Sequence, residues 1–143
     1  MFRIIVALMV GASPLAVAAA ACGSDLRGAQ TLESADYVIA FRTQPPQIAD
    51  GKHISLDIVT CAKGGAPGPV NVAVDAFMPE HGHGMNYKAV VKAAGNTKAA
   101  KPAAGAHFRA DGLMFHMPGR WDLYFDVQGA GRTERLTRSI VLE

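Results

Sequence analysis

The feature that most constrains this chain is a repeated alternation of apolar and polar residues. The clearest run spans 120–127, where every second residue is large and apolar: Trp121, Leu123, Phe125 and Val127. Seven such runs succeed one another between residues 37 and 142, separated by breaks that contain glycine or proline. Alternate side chains of a strand lie on opposite faces, so these runs indicate half-buried strands. Their regular spacing predicts an all-β sandwich of about seven strands, with helices playing a minor part.

The chain of 143 residues has the length of one domain. We divide it into a signal peptide over 1–21, an N-terminal tail over 22–35 and a sandwich domain over 36–143. The low-complexity stretch 92–106, which is rich in alanine and lysine, is interpreted as a surface loop of that domain.

The apolar excess of this chain is concentrated in its first 21 residues. A single cation, Arg3, precedes an uncharged apolar stretch that ends in small residues. This order is typical of a secretory signal peptide, with an A-x-A cleavage site before Cys22. The alternative is a membrane-anchoring helix, but Gly11, Ser13 and Pro14 interrupt the apolar run and favour cleavage. We therefore expect the protein to be exported.

The chain has two cysteines, Cys22 and Cys61. Export would place them in an oxidising compartment, and an even number of cysteines favours a Cys22–Cys61 disulfide. A second interpretation is that residues 19–24 act as a lipoprotein signal, in which case Cys22 would carry a lipid. The third interpretation is that both cysteines are free thiols.

Composition excludes two broad classes of function. The formal net charge is +2, which provides no basic patch for nucleic acid. The sequence also lacks the GxSxG, HExxH and phosphate-binding glycine motifs of common enzyme classes. We therefore expect a protein that is not an enzyme.

Methionine and histidine are gathered in two short segments, 78–85 and 114–117. Four of the six methionines and three of the five histidines lie there. The candidate metal ligands among them are Met78, His81, His83, Met85, His116 and Met117. In an extended chain, His81, His83 and Met85 would project to one side. Met114 is interpreted as packing, because it alternates with Phe115. Two loops at the same end of a sandwich could pool these donors.

The donor chemistry indicates which metal would bind. Thioether sulfur suits Cu(I), whereas imidazole serves both Cu(I) and Cu(II), so a mixed His/Met set favours copper, with Cu(I) preferred. Zinc is the alternative if only the histidines take part. Each methionine could equally be a core side chain, and the His-Gly-His-Gly stretch could be a polar turn. The joint clustering of both residue types favours a metal site.

Two blocks of sequence carry a resemblance to a known family. Residues 75–85, DAFMPEHGHGM, and residues 112–121, GLMFHMPGRW, resemble the YtkA-like/FixH-like family of exported bacterial domains. The resemblance implies an immunoglobulin-like sandwich located in the periplasm. It also implies a role in copper handling or in the assembly of copper-containing respiratory oxidases.

The resulting hypothesis is a periplasmic copper carrier or metallochaperone. Its partners would be the metal ion and a copper-receiving oxidase-assembly or envelope protein, with a membrane involved only if Cys22 is lipidated. The alternative hypothesis is an interaction module without metal, in which the glycine-rich segment docks to an oxidase-assembly or envelope partner.

Overall fold

The computed structural model describes residues 21–95, 105–129 and 131–143. These residues form nine strands and no helix. The strands are β1 (Gln30–Glu33), β2 (Tyr37–Gln44), β3 (His53–Ala62), β4 (Asn71–Met78), β5 (His83–Gly84), β6 (Val90–Ala93), β7 (Ala106–Met114), β8 (Gly119–Gly129) and β9 (Arg132–Leu142). Most of the predicted signal peptide and the middle of the predicted alanine-rich loop lie outside the described residues. Within the described parts, no helix is long and apolar enough to cross a membrane.

The strands form two antiparallel sheets that pack face to face. One sheet has the order β1-β2-β3-β7-β6, and the other has the order β5-β4-β8-β9. The core of this arrangement, β2-β3-β7-β6 opposite β4-β8-β9, has the strand order of a constant-type immunoglobulin domain. The prediction of an immunoglobulin-like β-sandwich is confirmed.

Alternation along the strands builds the core between the sheets. On β8, Trp121, Leu123, Phe125 and Val127 are each at most 1% exposed, and the residues between them face outward. Phe125 meets Phe41 of the opposite sheet, with 4.8 Å between ring centroids. Each of the seven predicted runs overlaps one of the strands β2, β3, β4, β6, β7, β8 and β9.

Two short strands, β1 and β5, supplement the seven expected ones. β1 lies in the predicted N-terminal tail and pairs with β2 from Gln30 opposite Phe41 to Glu33 opposite Val38. β5 has two residues and pairs with the end of β4. Both are edge strands, and each pairs with the neighbouring strand in sequence through a short turn.

The segment before β1 is fastened to the five-stranded sheet by a disulfide. Cys22 is bonded to Cys61 near the end of β3, with 5.9 Å between the Cα atoms. Gly23 lies directly on Ala40 and leaves no room for a Cβ atom. Residues 22–29 therefore cover part of the outer face of this sheet, which explains why the outward-facing Ala40 and Val59 are buried.

Candidate metal centre

The two His/Met segments lie at the same end of the sandwich. β4 ends at Met78 and β7 ends at Met114, whereas β8 begins at Gly119. The antiparallel pairing of β4 with β8 and of β3 with β7 brings these strand ends together. We call this end the His/Met pole and the opposite end, where β3 reaches Cys61, the disulfide pole.

The first segment forms a tight hairpin rather than the extended chain expected from sequence. The amide groups of His81 and Gly82 both donate to the Met78 carbonyl, at 3.2 and 2.9 Å. Gly82 has a φ of +69°, a left-handed conformation that glycine adopts without steric cost. The chain then returns as β5, so His81 lies in the turn while His83 lies on a strand.

His83 faces the interior of the sandwich end. It is the cross-strand partner of Met78, whose side chain is fully buried, so the two side chains share the inner face of the sheet. The Nδ1 atom of His83 is 3.1 Å from the carbonyl oxygen of Gly84. Because a carbonyl oxygen only accepts, Nδ1 carries the proton, and the lone pair of the neutral ring lies on Nε2, the nitrogen able to bind a metal.

In the second segment, the carbonyl groups of the two residues that flank His116 each accept one hydrogen bond. The amide of Gly51 donates to the carbonyl of Phe115 at 2.8 Å. The indole Nε1 of Trp121 donates to the carbonyl of Met117 at 3.0 Å. Trp121, on the apolar face of the run 120–127, is fully buried. Its hydrogen bond links a rigid core side chain to the loop that carries His116 and Met117.

The two segments meet through their histidines. The rings of His83 and His116 are stacked, with centroids 5.0 Å apart and planes at 29°. His81 lies 5.9 Å from His83, measured between ring centroids. Trp121 presents its ring edge-to-face to both His83 and His116, at 5.8 and 5.3 Å. Three imidazoles from the hairpin and from the segment after β7 therefore form one cluster, and two of them contact Trp121.

One nitrogen of this cluster is buried without a hydrogen-bond partner. His116 Nδ1 and Thr60 Oγ1 are the buried side-chain polar atoms in the described residues that lack one. Leaving such an atom unpaired costs about 1–3 kcal/mol, so it requires an explanation. Thr60 is a β-branched strand residue enclosed by the sheet, whereas His116 lies in a loop beside two other histidines. The unpaired nitrogen therefore belongs to a ring that is stacked on His83.

The candidate methionines differ in how accessible they are. Met78 is 0% exposed and belongs to the hydrophobic core. A Cβ atom added to Gly119 would lie 2.5 Å from the Met78 methyl group, so Met78 packs directly beneath the second segment. Met85 and Met117 are partly buried at the edge of the core. Met78 thus lies inside the core at this pole, whereas Met85 and Met117 lie at the edge of the core.

The remaining histidines and Met114 lie away from this cluster. Met114 is on the outer face of the five-stranded sheet, opposite His53. His107 lies near the disulfide pole, with its Nε2 atom 3.7 Å from Asp25. The described residues contain no group of three or more His, Cys, Asp or Glu side chains arranged to hold a metal ion. The histidines of this pole therefore do not form such a group by themselves in the described part of the chain.

Sequence reasoning missed the polar networks on the outer faces of both sheets. Asp57 accepts hydrogen bonds from Arg42, Gln44 and Arg109. Partial burial raises the pKa of the Asp57 carboxyl, but these hydrogen bonds and the Arg42 charge outweigh it and hold that pKa below its usual value. Such networks form between side chains on neighbouring strands. The alternation pattern within one strand does not predict which strands are neighbours.

A network on the four-stranded sheet joins Tyr124, Asp126 and Arg135. Arg135 donates two hydrogen bonds of 2.7 Å to Asp126. Its guanidinium lies 4.1 Å from the centre of the Tyr124 ring. Burial, with the charge of Asp75, raises the pKa of Tyr124. These groups are paired with one another and do not resemble a metal site.

Comparison of the chain with protein-family models, with curated proteins and with solved structures gave no match.

Proposed function

We propose that this protein binds copper, with Cu(I) preferred, at the His/Met pole, and that it acts as a carrier or metallochaperone. The observation that carries the proposal is the contact between His83 and His116, whose rings come from two different segments and have centroids 5.0 Å apart. The buried, unpaired Nδ1 atom of His116 supports it further. Imidazole nitrogen and thioether sulfur together form a donor set suited to Cu(I).

The ligand pool divides according to exposure. His83 and His116 would supply the nitrogen donors, and the partly buried Met85 and Met117 would supply sulfur from the edge of the core. His81, exposed in the hairpin turn, is placed to exchange an ion with a partner. Met78 is buried beneath Gly119 and supports the pole from the core side. Three or four donors would bind at once, and the others would take part in transfer.

The expectations about cellular context complete the proposal. Cleavage after residue 21 would release the protein into the periplasm, where thiols oxidise and a thioether site remains functional. The resemblance to the YtkA-like/FixH-like family supports copper handling and a copper-receiving oxidase-assembly or envelope partner. The Cys22 sulfur bonded to Cys61 cannot also carry a thioether-linked lipid, which favours a protein without an anchor at that residue.

A competition titration with a Cu(I) chelator tests the proposal. We expect the exported protein to bind its first equivalent at least about 100-fold more tightly than a His83→Ala/His116→Ala variant, because that variant loses both nitrogen donors. The matched control is His107→Ala, which removes a histidine distant from the pole and should leave the affinity unchanged. Equal affinities of the wild type and the double variant would contradict the proposal.

The second proposal is an interaction module that uses the same hairpin without metal. Two exposed aromatic side chains support it: Phe77 is 39% exposed and Tyr87 is 49% exposed, one on each side of the hairpin. Aromatic side chains of this kind are enriched at protein interfaces. In this case, capture of an oxidase-assembly or envelope partner would be unaffected by a copper chelator but abolished by Phe77→Ser/Tyr87→Ser. Capture that requires copper would support the carrier instead.

A further inference from the structure

A histidine and a methionine that the His/Met pole does not use are brought together on the outer face of the five-stranded sheet. His53 begins β3 and Met114 ends β7, and the two are direct cross-strand partners. Their neighbours Ile54 and Leu113 are buried in the core, so His53 and Met114 both face outward. Directly opposed residues on one face have Cβ atoms about 4.5–5.5 Å apart.

A β-bulge creates this pairing. Leu56 lies opposite Ala110, but Ile54 lies opposite Leu113, so β7 contains one residue more than β3 in this interval. Without the extra residue, His53 would lie opposite Leu113. Gly112, within the bulge, has a φ of +85°, which a side chain would strain. Bulges commonly re-aim side chains next to functional sites, and this one places a thioether opposite an imidazole.

Tyr87 closes the group from the other side of β7. Its ring meets the His53 ring edge-to-face, with centroids 5.2 Å apart and planes at 68°. Tyr87 precedes β6, which pairs with β7 on the side away from β3. Strands two positions apart in a sheet are about 9.5 Å apart, so the two rings converge over β7. β7 is the strand that carries Met114, so the two rings meet over the strand position next to which Met114 lies.

We propose that His53 and Met114 form a second binding site for a soft monovalent ion, Cu(I) or its analogue Ag(I). The chemistry is that of imidazole with thioether, and hard divalent cations would not select it. Contact with Tyr87 restricts the orientation of the His53 ring, and the flexible Met114 side chain can adjust to the ion. The site shares no residue with the proposed ligand set of the His/Met pole. This inference rests on the proposed function, because both sites would bind the same ion. An incoming ion would first meet this exposed site near the pole.

The two sites should differ in strength. His53 is exposed and Met114 is partly exposed, and the site offers two donors against the three or four of the pole. With fewer donors and greater contact with water, an ion at this site binds more weakly and exchanges more rapidly. The second equivalent is therefore expected to bind at His53 and Met114.

Titration of the exported protein with Ag(I), followed by NMR of 13C-labelled methionine methyl groups, tests the inference. Ag(I) is redox-inert, and each methionine reports separately. We expect the Met85 and Met117 signals to move during the first equivalent and the Met114 signal during the second. In His53→Ala, the Met114 response should need at least about tenfold more Ag(I), whereas His107→Ala on the same sheet should leave it unchanged. A Met114 signal that stays fixed, or that moves identically in wild type and His53→Ala, would overturn the inference.

The His83→Ala/His116→Ala variant separates this inference from the proposed function. In this variant the Met114 signal should still respond to Ag(I). The first step of the titration, in which the Met85 and Met117 signals move, should be lost. If that variant keeps the first step, the proposed function fails and the second site stands. If the Met114 response disappears with the first step, the second site is not independent and the inference fails.

Discussion

The two poles of the sandwich use polar and sulfur-containing residues in opposite ways. At the disulfide pole these groups cross-link the chain: Cys22 is bonded to Cys61, and Lys63 lies 3.0 Å from Glu33. Tyr37 donates from its hydroxyl to the Pro67 carbonyl at 3.1 Å. At the His/Met pole, sulfur remains as thioether, and the His116 imidazole keeps a buried nitrogen without a partner.

This difference separates stability from binding. Groups that already have partners gain little from a ligand, so the disulfide pole is expected to contribute to folding. Binding sites commonly hold unpaired polar atoms in place on a rigid core. The free energy lost by leaving such an atom unpaired is recovered when the ligand binds. The two poles should therefore respond differently to substitution, and the predictions below test that separation.

The largest expected change in stability comes from the disulfide pole. In Cys22→Ser/Cys61→Ser, the cross-link between residues 39 apart in sequence is lost. The loop-entropy estimate for that separation is a loss of about 3–4 kcal/mol in the free energy of unfolding. Denaturant unfolding measures this loss, and a parallel Cu(I) titration should give an unchanged first-equivalent affinity under conditions where the variant is folded. A large fall in affinity would show that the poles are coupled.

A smaller change in stability, accompanied by a change in binding, is expected for Trp121→Phe. The variant loses the hydrogen bond to the Met117 carbonyl and part of the edge-to-face contact with His83 and His116. We expect a loss of about 1–2 kcal/mol in stability and an approximately tenfold weaker first equivalent.

The matched control for Trp121→Phe is Phe125→Leu, a change on the same strand in the same core. It should cost a similar amount, about 1 kcal/mol, and leave the affinity for copper unchanged. Equal affinity losses in both variants would mean that any loosening of the core weakens the pole. Trp121 would then have no specific role in positioning it.

The smallest effect is expected for Asp57→Asn, on the outer face of the five-stranded sheet. The hydrogen bonds from Arg42, Gln44 and Arg109 lower the pKa of Asp57 in the folded protein. Its contribution to stability is therefore complete above the unfolded value, near 3.8, and is lost as pH falls through the lower folded pKa. We expect a cost of about 1 kcal/mol at pH 7, discounted for the partly exposed arginines.

Unfolding of wild type and Asp57→Asn across a pH series checks this prediction. The difference between the two proteins should shrink as the carboxyl is protonated, and copper affinity should be the same in both at pH 7. A difference that grows towards acid pH would show that Asp57 is destabilising when ionised.

The sequence was sufficient to predict β2, β3, β4 and β6 to β9, but not β1 and β5. Alternation over 120–127 reports burial on one face, which is a local property of β8. β1 and β5 are short and have no such pattern; they form because β2 and β4 offer free edges. Tertiary pairing of this kind cannot be read from a local window.

The candidate site was predictable in composition but not in arrangement. The clustering of histidine and methionine indicated the two segments, and the antiparallel pairing brings them to one pole. Local sequence did not reveal that Met78 is enclosed by the core beneath Gly119. Nor did it show that a bulge at Gly112 sets Met114 opposite His53, because one inserted residue changes the register of every residue beyond it.

X-ray absorption at the copper edge, on the exported protein loaded with one equivalent of Cu(I), tests the central claim most directly. The account predicts that the first coordination shell contains both nitrogen and sulfur, and that the nitrogen contribution falls in His83→Ala/His116→Ala. A shell of nitrogen and oxygen alone, unchanged by that substitution, would contradict a His/Met copper site at this pole.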